Sequence, residues 1–574
     1  MEDREKREFG LTERDIGIEK FLTEGDGFTA TLKQKEEDFI VRELETNGKP
    51  LGFFEEFLYD VETLNLLLKL PFVTEESIDL VIDAMKGVKI ENKLKTEVGR
   101  LENIEDKDLR SKIHFLYSLH PHMFTTTEEG SNTIKVFHAP GHRKNIYTMT
   151  VIKRGKDTVE VASLFAKILK TIPRNIQFSG NKDRKGITIQ KMSIQECSFA
   201  SVCSLYRTLR KRENNEAKTS GEYSFSQPIY GIDKHSILTL SAKRPRVVSD
   251  EEKIMQIHSL VEQLHEEVED RQAKTCRVVE DNTAKGIRKV GTVLISSVRR
   301  TVKPLQLGEL GGNNFIVTLR NVKGDPLRVK EAIEMGRRGF LNYYGTQRFG
   351  RNFFNPVIGE ALLNENYDQA VSLIMENARH SISEKAVQAM ERYSMGRYRE
   401  AAETWPLRFV TEKIISRGKE MGKSNEEIIS SFRRESRMLY IHSHQSMVFN
   451  RELSRRVEGG MEVWDEDFVG VNAKGMSSIT SDIDYHIRKA GDEKNSYCIN
   501  DVFIQLEPKD ESEVRRNSPR GGFRRAVVQP EDLAYTIRES ENGSEVEMTF
   551  TLPPGTYATM FVREISKGGC VTEE

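Results

Sequence analysis

The spacing of apolar and polar residues divides the chain into segments of strand, helix and turn character. Two short extended stretches, Phe28–Leu32 and Phe39–Leu44, are joined by the charged turn Lys33–Asp38. The following 50–125 region is predicted to be mostly helical, because few glycines interrupt its periodic apolar positions. One helical face there contains Leu109, Ile113, Leu116 and Tyr117.

A strand–helix–strand passage follows. Asn145–Ile152 has strand character, and Asp157 or Thr158 can cap the next helix. The apolar stripe of that helix is Val161, Leu164, Phe165, Ile168 and Leu169. Arg174–Ser179 then reads as a strand, and the polar turn Gly180–Gly186 separates it from the strand Ile187–Gln190. A charged turn between two buried strands is where a rigid scaffold presents a reactive side chain.

The remaining chain alternates between polar, helical and strand-like parts. Residues 207–285 are the most polar part and are interpreted as an insertion with a charged helix at about 250–272. Strands are expected over 290–320, and a helix over Pro326–Arg338. From 356 to 510 helices dominate, as in a separate lobe. The tail from 526 is predicted to contain the strands Val546–Leu552 and Ala558–Glu564.

Composition narrows the class of protein. A chain of 574 residues is expected to form two or more domains. No run of about 20 apolar residues exists, so we expect no membrane span, and the mixed-charge N-terminus argues against a secretory signal. The five cysteines form no Cys-x-x-Cys pair, which fits a reducing compartment rather than a zinc or disulfide framework. With a net charge of −2, any nucleic-acid surface must come from local basic clusters.

The turn Gly180–Gly186 holds the first candidate for chemistry. Positive charge on either side of Asp183, from Lys182 and Arg184, favours an ionised carboxylate that could act as nucleophile or base. The two cations could receive a phosphate. Taken alone, however, a Lys-Asp-Arg turn is more often a solvated surface loop.

Other motifs give less. Gly422-Lys423-Ser424 lacks the first glycine of a phosphate-binding loop, so ATP binding is rejected. The histidines at 114, 120, 122, 138 and 142 have no acid or thiol at ligand spacing, so surface or core positions are favoured over a metal site.

Several blocks in a fixed order resemble one enzyme family. The block Phe178 to Gln190 contains Gly180-x-Lys182-Asp183 followed by Thr188 and Gln190. The further blocks are Lys33 to Val41, Gly312 to Phe315, Asn342 to Gly350, His442 to Asn450 and Leu552 to Thr559. Together they resemble the TruD family of RNA pseudouridine synthases, and the long 50–130 and 205–290 segments resemble its enlarged eukaryotic-type members.

The resemblance implies a mixed α/β fold whose catalytic domain has a largely antiparallel sheet, with an inserted helix-rich TruD-specific lobe. It implies a first catalytic part at 28–355, with 50–130 and 205–290 as elaborations, an insertion domain at 356–519 and a C-terminal catalytic part at 520–574. The implied activity is isomerisation of specific uridines to pseudouridine in tRNA, with mRNA or other RNA as further candidates. Neither a cofactor nor a metal is expected.

The resemblance also assigns roles to single residues. Asp183 is the expected catalytic carboxylate, which either attacks the nucleoside or removes a proton on the C1′ side, and Lys33 is its expected cation partner. Phe315 is the expected stacking face for the target base, with a gain of about 1–3 kcal/mol per base. Asn313 is expected to orient Asp183. The further candidate substrate-binding residues are Phe39, Lys182, Arg184, Gln347 and Arg348.

Each of these residues also has a structural reading. Lys33 alone suits a solvated turn, Phe315 a core strand and Asn313 a turn after two glycines, while Gln347 and Arg348 could brace the site instead of contacting RNA. The arginines at 515, 516, 520, 524 and 525, with Phe523 among them, could form a phosphate-binding loop or a merely solvated one.

Two rival functions are open to a chain with these features. A catalytically inactive RNA-binding protein of the same fold is the first. A methyltransferase or a deaminase is the second, but the chain has neither a glycine-rich cofactor loop nor a His/Cys zinc signature. We expect a monomer that binds RNA and no membrane, and that is located in the nucleus, the cytoplasm or both; the basic run Lys243–Arg246 is a weak nuclear import signal.

Overall fold

A computed structural model provides the structure of this chain. It describes residues 12–572 apart from 46–47, 53–67, 75, 78, 81–94, 119, 121, 129, 140–144, 221–258, 260–261, 264–292, 302, 351, 382, 408, 471–478, 481–486, 492–496, 507–520 and 540–543. The predicted insertion at 207–285, its helix at 250–272, the basic run Lys243–Arg246, and the arginines at 515, 516 and 520 therefore lie wholly or mostly outside the described residues.

The strands begin and end as follows. They are β1 Thr29–Leu32, β2 Phe39–Leu44, β3 Thr96–Leu101, β4 Met123–Thr127, β5 Ile134–His138, β6 Asn145–Arg154, β7 Ile176–Phe178, β8 Ile187–Cys197, β9 Val293–Thr301, β10 Gly312–Lys323, β11 Phe340–Leu341, β12 Phe468–Gly470, β13 Ile479–Thr480, β14 Ile487–Lys489, β15 Val502–Leu506, β16 Gly522–Arg525, β17 Val527–Val528, β18 Glu531–Arg538, β19 Ser544–Leu552 and β20 Cys570–Thr572.

The α-helices lie between and after these strands. They are α1 Lys107–Ser118, α2 Thr158–Leu169, α3 Phe199–Ser220, α4 Pro326–Gly336, α5 Asn355–Leu363, α6 Tyr367–Arg379, α7 Glu384–Ser394, α8 Tyr398–Thr404, α9 Val410–Glu420, α10 Asn425–Ser430, α11 Arg434–Glu458 and α12 Ala558–Ser566.

The chain forms two compact units. The sheet unit consists of Leu32–Arg320, Val546–Thr549 and Thr572–Glu574. The helical unit consists of Met1–Thr31, Asn321–Glu545 and Phe550–Val571. The domain boundaries expected from the sequence, 28–355, 356–519 and 520–574, stay a prediction.

A mixed, mainly antiparallel sheet organises the sheet unit. Its strands lie in the order β10-β2-β8-β6-β9, and β7 also pairs with β8. The pairings of β2 with β10, β6 with β8, β6 with β9 and β7 with β8 are antiparallel, whereas β2 and β8 run parallel. The predicted α/β fold with a largely antiparallel sheet is confirmed.

Alternation along these strands gives the sheet two different faces, because successive side chains of a strand point to opposite sides. One face buries an isoleucine-rich cluster made of Ile40, Ile152, Ile187, Ile189, Leu294 and Ile316, with Leu51 against it. On the other face lie the intervening residues Phe39, Val41, Glu43, Lys153, Thr188, Gln190, Asn313 and Phe315. This second face carries the residues singled out by the sequence.

Helix α2 follows the predicted cap and stripe. The Asp157 carboxylate accepts a hydrogen bond from the Glu160 backbone N–H at 2.7 Å and completes a capping box. Val161 and Phe165 are fully buried in the large apolar core of the sheet unit. The apolar face predicted for α1 is confirmed as well, because Leu109, Ile113, Leu116 and Tyr117 are all buried in that core.

The helical unit contains α4 to α12 together with short strands. Helices α5 to α11 cover most of 355–458 and bury a core of their own, which includes Ile374, Trp405 and Ile441. Beyond α11, a five-stranded sheet in the order β13-β16-β15-β12-β14 lies within 468–525. The expectation that helices dominate as far as 510 was therefore wrong beyond Glu458.

Two further segments differ from their predictions. Ala558–Glu564 was expected to be a strand but belongs to helix α12, which buries Met560, Phe561, Val562 and Ile565. A short apolar run has no clear periodicity, and the decisive signal was Gly568-Gly569, which follows the left-handed helix end at Lys567. Thr96–Leu101 was expected to be helical but is strand β3, which pairs with β5 in a three-stranded sheet, so partners outside the segment decided its conformation.

The described helices also bear on the expected absence of a membrane span. Among those the structure describes, none combines the length and the apolar character that a bilayer span requires.

Candidate active site

The parallel pairing of β2 and β8 places two distant turns side by side. Ile40 is the register partner of Ile187, so the turns that precede the two strands emerge at the same edge of the sheet. Lys33 lies in the first turn and Asp183 in the second. Their side chains meet, with Lys33 Nζ 2.6 Å from Asp183 Oδ2.

The two partners of this ion pair differ in exposure. The Lys33 side chain is 2% exposed and the Asp183 side chain 28%. Lys33 also has a positive φ of 57°, a left-handed conformation that costs a non-glycine residue about 1–2 kcal/mol. Strained backbone of this kind is often found at functional sites. The aspartate is thus the member of the pair that a dissolved molecule can reach.

An aromatic ring also lies against the Lys33 ammonium. Lys33 Nζ lies 3.9 Å from the centroid of the Phe39 ring, a cation–π arrangement. The Phe39 and Phe315 ring centroids are 6.0 Å apart at an interplanar angle of 59°. Both phenylalanines are buried, and Phe315 is 6% exposed. The Phe39 ring thus lies against the Lys33 ammonium and packs against Phe315, and the expected stacking of the target base on Phe315 stays a prediction.

Asn313 lies two residues before Phe315 on the same face of β10. Its side chain is largely buried, and Oδ1 accepts no hydrogen bond from the residues that the structure describes. A buried amide oxygen without a donor costs about 1–3 kcal/mol. The amide is therefore available for a bond to a further group, but the expected orientation of Asp183 by Asn313 stays a prediction.

Thr158, the first residue of α2, and Gln190 of the signature block hold the Asp183 turn in place. The Thr158 hydroxyl donates to Gln190 Oε1 at 2.9 Å and accepts from the Lys182 backbone N–H at 3.0 Å. Gln190 Nε2 donates to the Gly180 carbonyl at 3.3 Å. Thr158 and Gln190 are buried. Their bonds fix the backbone at Gly180 and Lys182, on the N-terminal side of Asp183.

The two cations that flank Asp183 have different environments. The Lys182 ammonium lies 3.0 Å from Glu43 Oε1 in a buried ion pair whose side chains are 7% and 2% exposed. Arg184 is 68% exposed and reaches Glu160 only at 3.7 Å. Of the two, Arg184 is therefore the cation accessible to a phosphate, whereas Lys182 faces Glu43.

Gln347 and Arg348 belong to the helical unit. They lie in a short 3-10 helix, Thr346–Phe349, where Gln347 is exposed and Arg348 half-buried. Arg348 Nε donates to Ser446 Oγ at 3.3 Å, and its guanidinium lies 5.9 Å from the centroid of the Tyr344 ring. These contacts would suit a bracing role, and RNA contact by either residue stays a prediction.

Arg524 is not part of a solvated basic loop. It lies in β16 with no exposed surface, and its guanidinium donates to the Asn342 carbonyl at 3.0 Å, to Asn342 Oδ1 at 2.8 Å and to the Gly555 carbonyl at 2.7 Å. It also lies 4.0 Å from the centroid of the Tyr344 ring. Burial lowers the pKa of Arg524. The suggestion of a phosphate contact is therefore wrong for Arg524, which links two sequence blocks of the helical unit.

The sequence pattern did not single out three residues outside the Asp183 turn that contact it. Glu43, Thr158 and Lys153 contact this turn from β2, from the first residue of α2 and from the end of β6. Each was read only as part of a regular element, because nothing in the local pattern shows which strands become neighbours. The one available signal was their polar character at positions that alternation predicts to be buried.

The described residues contain no group of three or more histidine, cysteine, aspartate or glutamate side chains arranged to hold a metal ion. His120 and His122 are buried, and their ring centroids lie 6.0 Å apart. His114 is half-buried, and its Nδ1 lies 2.6 Å from Thr125 Oγ1, within hydrogen-bond distance.

Comparison with known proteins shows which family this sequence matches. The sequence pattern of the family described as tRNA pseudouridine synthase D (TruD) matches residues 121–222 and 268–503. Pseudouridylate synthase 7 homolog of Homo sapiens is 25% identical and aligns over 97% of this chain and 81% of its own length. The tRNA pseudouridine synthase D of Syntrophotalea carbinolica is 25% identical over 48% of this chain and 74% of its own. A crystal structure from Methanosarcina mazei, assigned as TruD, superposes with a TM-score of 0.48 and 15% identity over 96% of this chain and 97% of that one.

Proposed function

Because this chain belongs to the tRNA pseudouridine synthase D (TruD) family, we propose that it isomerises specific uridines of tRNA, with Asp183 as the catalytic carboxylate. The class of the enzyme is that of an isomerase that forms pseudouridine in RNA. The observation that carries the assignment of Asp183 is its 2.6 Å contact with Lys33, in which the lysine is buried and the aspartate accessible.

The reaction needs a carboxylate that is ionised and held in one direction. The N1–C1′ bond of the uridine breaks, the base turns, and a C5–C1′ bond forms; N1 gains a proton and C5 loses one. This balance requires no external oxidant, reductant or nucleotide. Asp183 either attacks the nucleoside or removes a proton on the C1′ side. In both routes the Lys33 ammonium fixes Oδ2, so that Oδ1 faces the substrate.

The surroundings of the pair suit a uridine taken out of the RNA stack. The Phe39 ring lies against the Lys33 ammonium and packs against Phe315, and an aromatic ring can stack on a base for about 1–3 kcal/mol. Such stacking would offset part of the cost of unstacking the nucleotide. Arg184 is exposed at the same turn and is positioned to receive a backbone phosphate.

Tritium release tests the proposal. Purified full-length protein is incubated with RNA that carries tritium at uridine C5, in separate tRNA and mRNA fractions, because loss of the C5 proton accompanies formation of the new bond. We expect release from tRNA by the wild type and none by Asp183→Ala, with RNA binding retained. Glu331→Gln, which changes an exposed carboxylate on helix α4, is the matched control and should release tritium as the wild type does.

The other outcomes are equally decisive. Equal release by the wild type and by Asp183→Ala would dismiss Asp183. Tight RNA binding without release from any fraction would favour a catalytically inactive RNA-binding protein of the same fold. Release from the mRNA fraction alone would move the substrate from tRNA to mRNA.

Two broader properties complete the proposal. We propose a monomer, which light scattering on the purified protein tests. We also propose that the protein is located in the nucleus, the cytoplasm or both, where RNA is made and used. Imaging of a fluorescent fusion tests the location.

A further inference from the structure

Lys153 is a buried cation at the end of strand β6. It is the register partner of Thr188 in β8, and its side chain has no exposed surface. The ammonium donates three hydrogen bonds: to the Asp183 carbonyl at 2.7 Å, to the Lys156 carbonyl at 2.7 Å and to the Lys182 carbonyl at 3.2 Å. Within the described part of the chain no carboxylate forms an ion pair with it.

This arrangement is costly to maintain and specific for the charged form. Removing an ammonium from water is unfavourable unless its hydrogen bonds are replaced and its charge is balanced. The three protons of the ammonium match the three carbonyls, whereas a neutral amine has two protons and would turn its lone pair toward the remaining carbonyl. Only protonated Lys153 therefore satisfies all three backbone oxygens.

The position of the acceptors gives Lys153 a role that a general core residue does not have. Two of the three carbonyls belong to Lys182 and Asp183, so the ammonium is hydrogen-bonded to the backbone of the proposed catalytic residue itself. Lys33 Nζ donates a hydrogen bond to the carboxylate of the same residue, with 2.6 Å to Asp183 Oδ2. One lysine thus fixes the main chain of Asp183 and the other fixes its side chain.

We propose that Lys153 is a positioning residue for the uridine isomerisation, whose charged ammonium holds the Asp183 backbone where the carboxylate can reach the substrate. The inference rests on the proposed function of Asp183. Lys153 does not touch the substrate, and its effect passes through the turn Gly180–Gly186.

Burial and the three carbonyl bonds act on the charge of Lys153 in opposite directions. Burial lowers the pKa of Lys153 to about 8, while the charges of Asp183, Asp157 and Glu160 raise it and that of Lys182 lowers it. These groups come from the turn that holds Asp183, from the cap of α2 and from its first turn. As the pH rises through about 8, Lys153 loses its proton, one carbonyl loses its donor, and the turn loosens.

The test separates the rate of the chemical step from RNA binding. Single-turnover tritium release from tRNA and RNA affinity are measured from about pH 6 to about pH 9.5 for the wild type, Lys153→Met, Lys153→Arg and Lys167→Met. Lys167 is exposed on α2 and provides the matched control. Circular dichroism at each pH reports whether each protein stays folded.

We expect the wild-type rate to fall above an apparent pKa near 8 while RNA affinity stays constant. Lys153→Met should react about 100-fold more slowly at neutral pH, the scale of an active-site displacement of about 1 Å, and should lack the alkaline decline. Lys153→Arg keeps a permanent charge, so it should recover part of the rate and also lack the decline. Lys167→Met should behave as the wild type.

Several results would overturn the inference. A wild-type rate without an alkaline decline, in a protein that stays folded, would do so even if both Lys153 variants fail to fold. An unchanged decline in Lys153→Met, or a change in RNA affinity that accounts for the loss of rate, would do so too. The failure of the proposed function looks different, because then the wild type itself releases no tritium at any pH.

Discussion

Lys33 and Asp183 are 150 positions apart in the chain, yet Lys33 Nζ lies 2.6 Å from Asp183 Oδ2 and only the aspartate is open to solvent. The parallel register of β2 and β8 brings the two turns together. The contact gives the carboxylate a fixed direction, and the Asp183 side chain stays 28% exposed. Its asymmetry also makes the two partners respond differently to substitution.

The first prediction uses this asymmetry. Asp183→Asn leaves the Lys33 ammonium buried without its counter-charge, and such a loss costs about 3–5 kcal/mol of unfolding free energy when a buried pair is broken. The cation–π contact between the Lys33 ammonium and the Phe39 ring should offset about 1 kcal/mol of this cost. Lys33→Met instead removes the buried charge and leaves an aspartate that water can reach, so its stability should change little. Urea unfolding of both variants measures the difference.

The double variant Lys33→Met with Asp183→Asn provides the control for that prediction, because it should regain the stability that Asp183→Asn loses. All three variants should be inactive in tritium release. Equal destabilisation by the two single substitutions would contradict the asymmetry.

The second prediction concerns the support of the Asp183 turn. Thr158→Val keeps the shape of the side chain but leaves the Lys182 backbone N–H and Gln190 Oε1 without their partner. We expect a loss of about 1–3 kcal/mol of unfolding free energy and slower tritium release with RNA affinity preserved. Ser163→Ala, an exposed change on the same helix, should alter neither quantity. A Thr158→Val enzyme with the wild-type rate would show that these bonds do not position Asp183.

The third prediction distinguishes Arg184 from the buried cations. Arg184 is 68% exposed, so Arg184→Gln should weaken RNA binding and lower the slope of log affinity against log salt by about 0.7–0.9. Titrations at several salt concentrations measure this slope. Arg100→Gln, an exposed change on β3, is the control. An unchanged slope in Arg184→Gln would remove the residue from the RNA contacts.

The fourth prediction concerns Arg524. Arg524→Met leaves the Asn342 and Gly555 carbonyls without their donors inside the helical unit. We expect a loss of about 3–5 kcal/mol of unfolding free energy. Arg397→Met, an exposed change in the same unit, should cost little. If Arg524→Met folded with wild-type stability and bound RNA with a reduced salt slope, the structural role would be refuted.

The fifth prediction follows from the pKa of Lys153, which burial lowers from 10.5 to about 8. The unfolded chain then binds more protons than the folded one between these two values, so Lys153 contributes a stability that rises with pH across this window. The penalty for the buried charge is fully present below about pH 8 and amounts to about 3 kcal/mol. Urea unfolding at pH values on both sides of the window should show this rise in the wild type and not in Lys153→Met.

The sequence by itself determined the elements whose pattern is local. The alternation in Phe39–Leu44 and Asn145–Arg154, the cap at Asp157 and the apolar face of α1 all depend on residues close together in the chain, so their periodicity was sufficient. The ordered blocks likewise identified the family and the candidates Asp183 and Lys33. Local pattern failed at Ala558–Ser566, where a short apolar run suited a strand as well as a helix.

Beyond the expected pairing of Lys33 with Asp183, only the tertiary structure decided which residues meet. The parallel register of β2 with β8 and the antiparallel register of β8 with β6 bring Lys33, Asp183 and Lys153 to one edge of the sheet, and no sequence spacing encodes those registers. Burial also distinguishes cations that look equivalent in the sequence. Lys182 pairs with Glu43, and Arg524 donates hydrogen bonds to backbone carbonyls, whereas Arg184 is exposed to water. The free energy of a charge depends on the partners and the solvent around it, and these are properties of the folded chain.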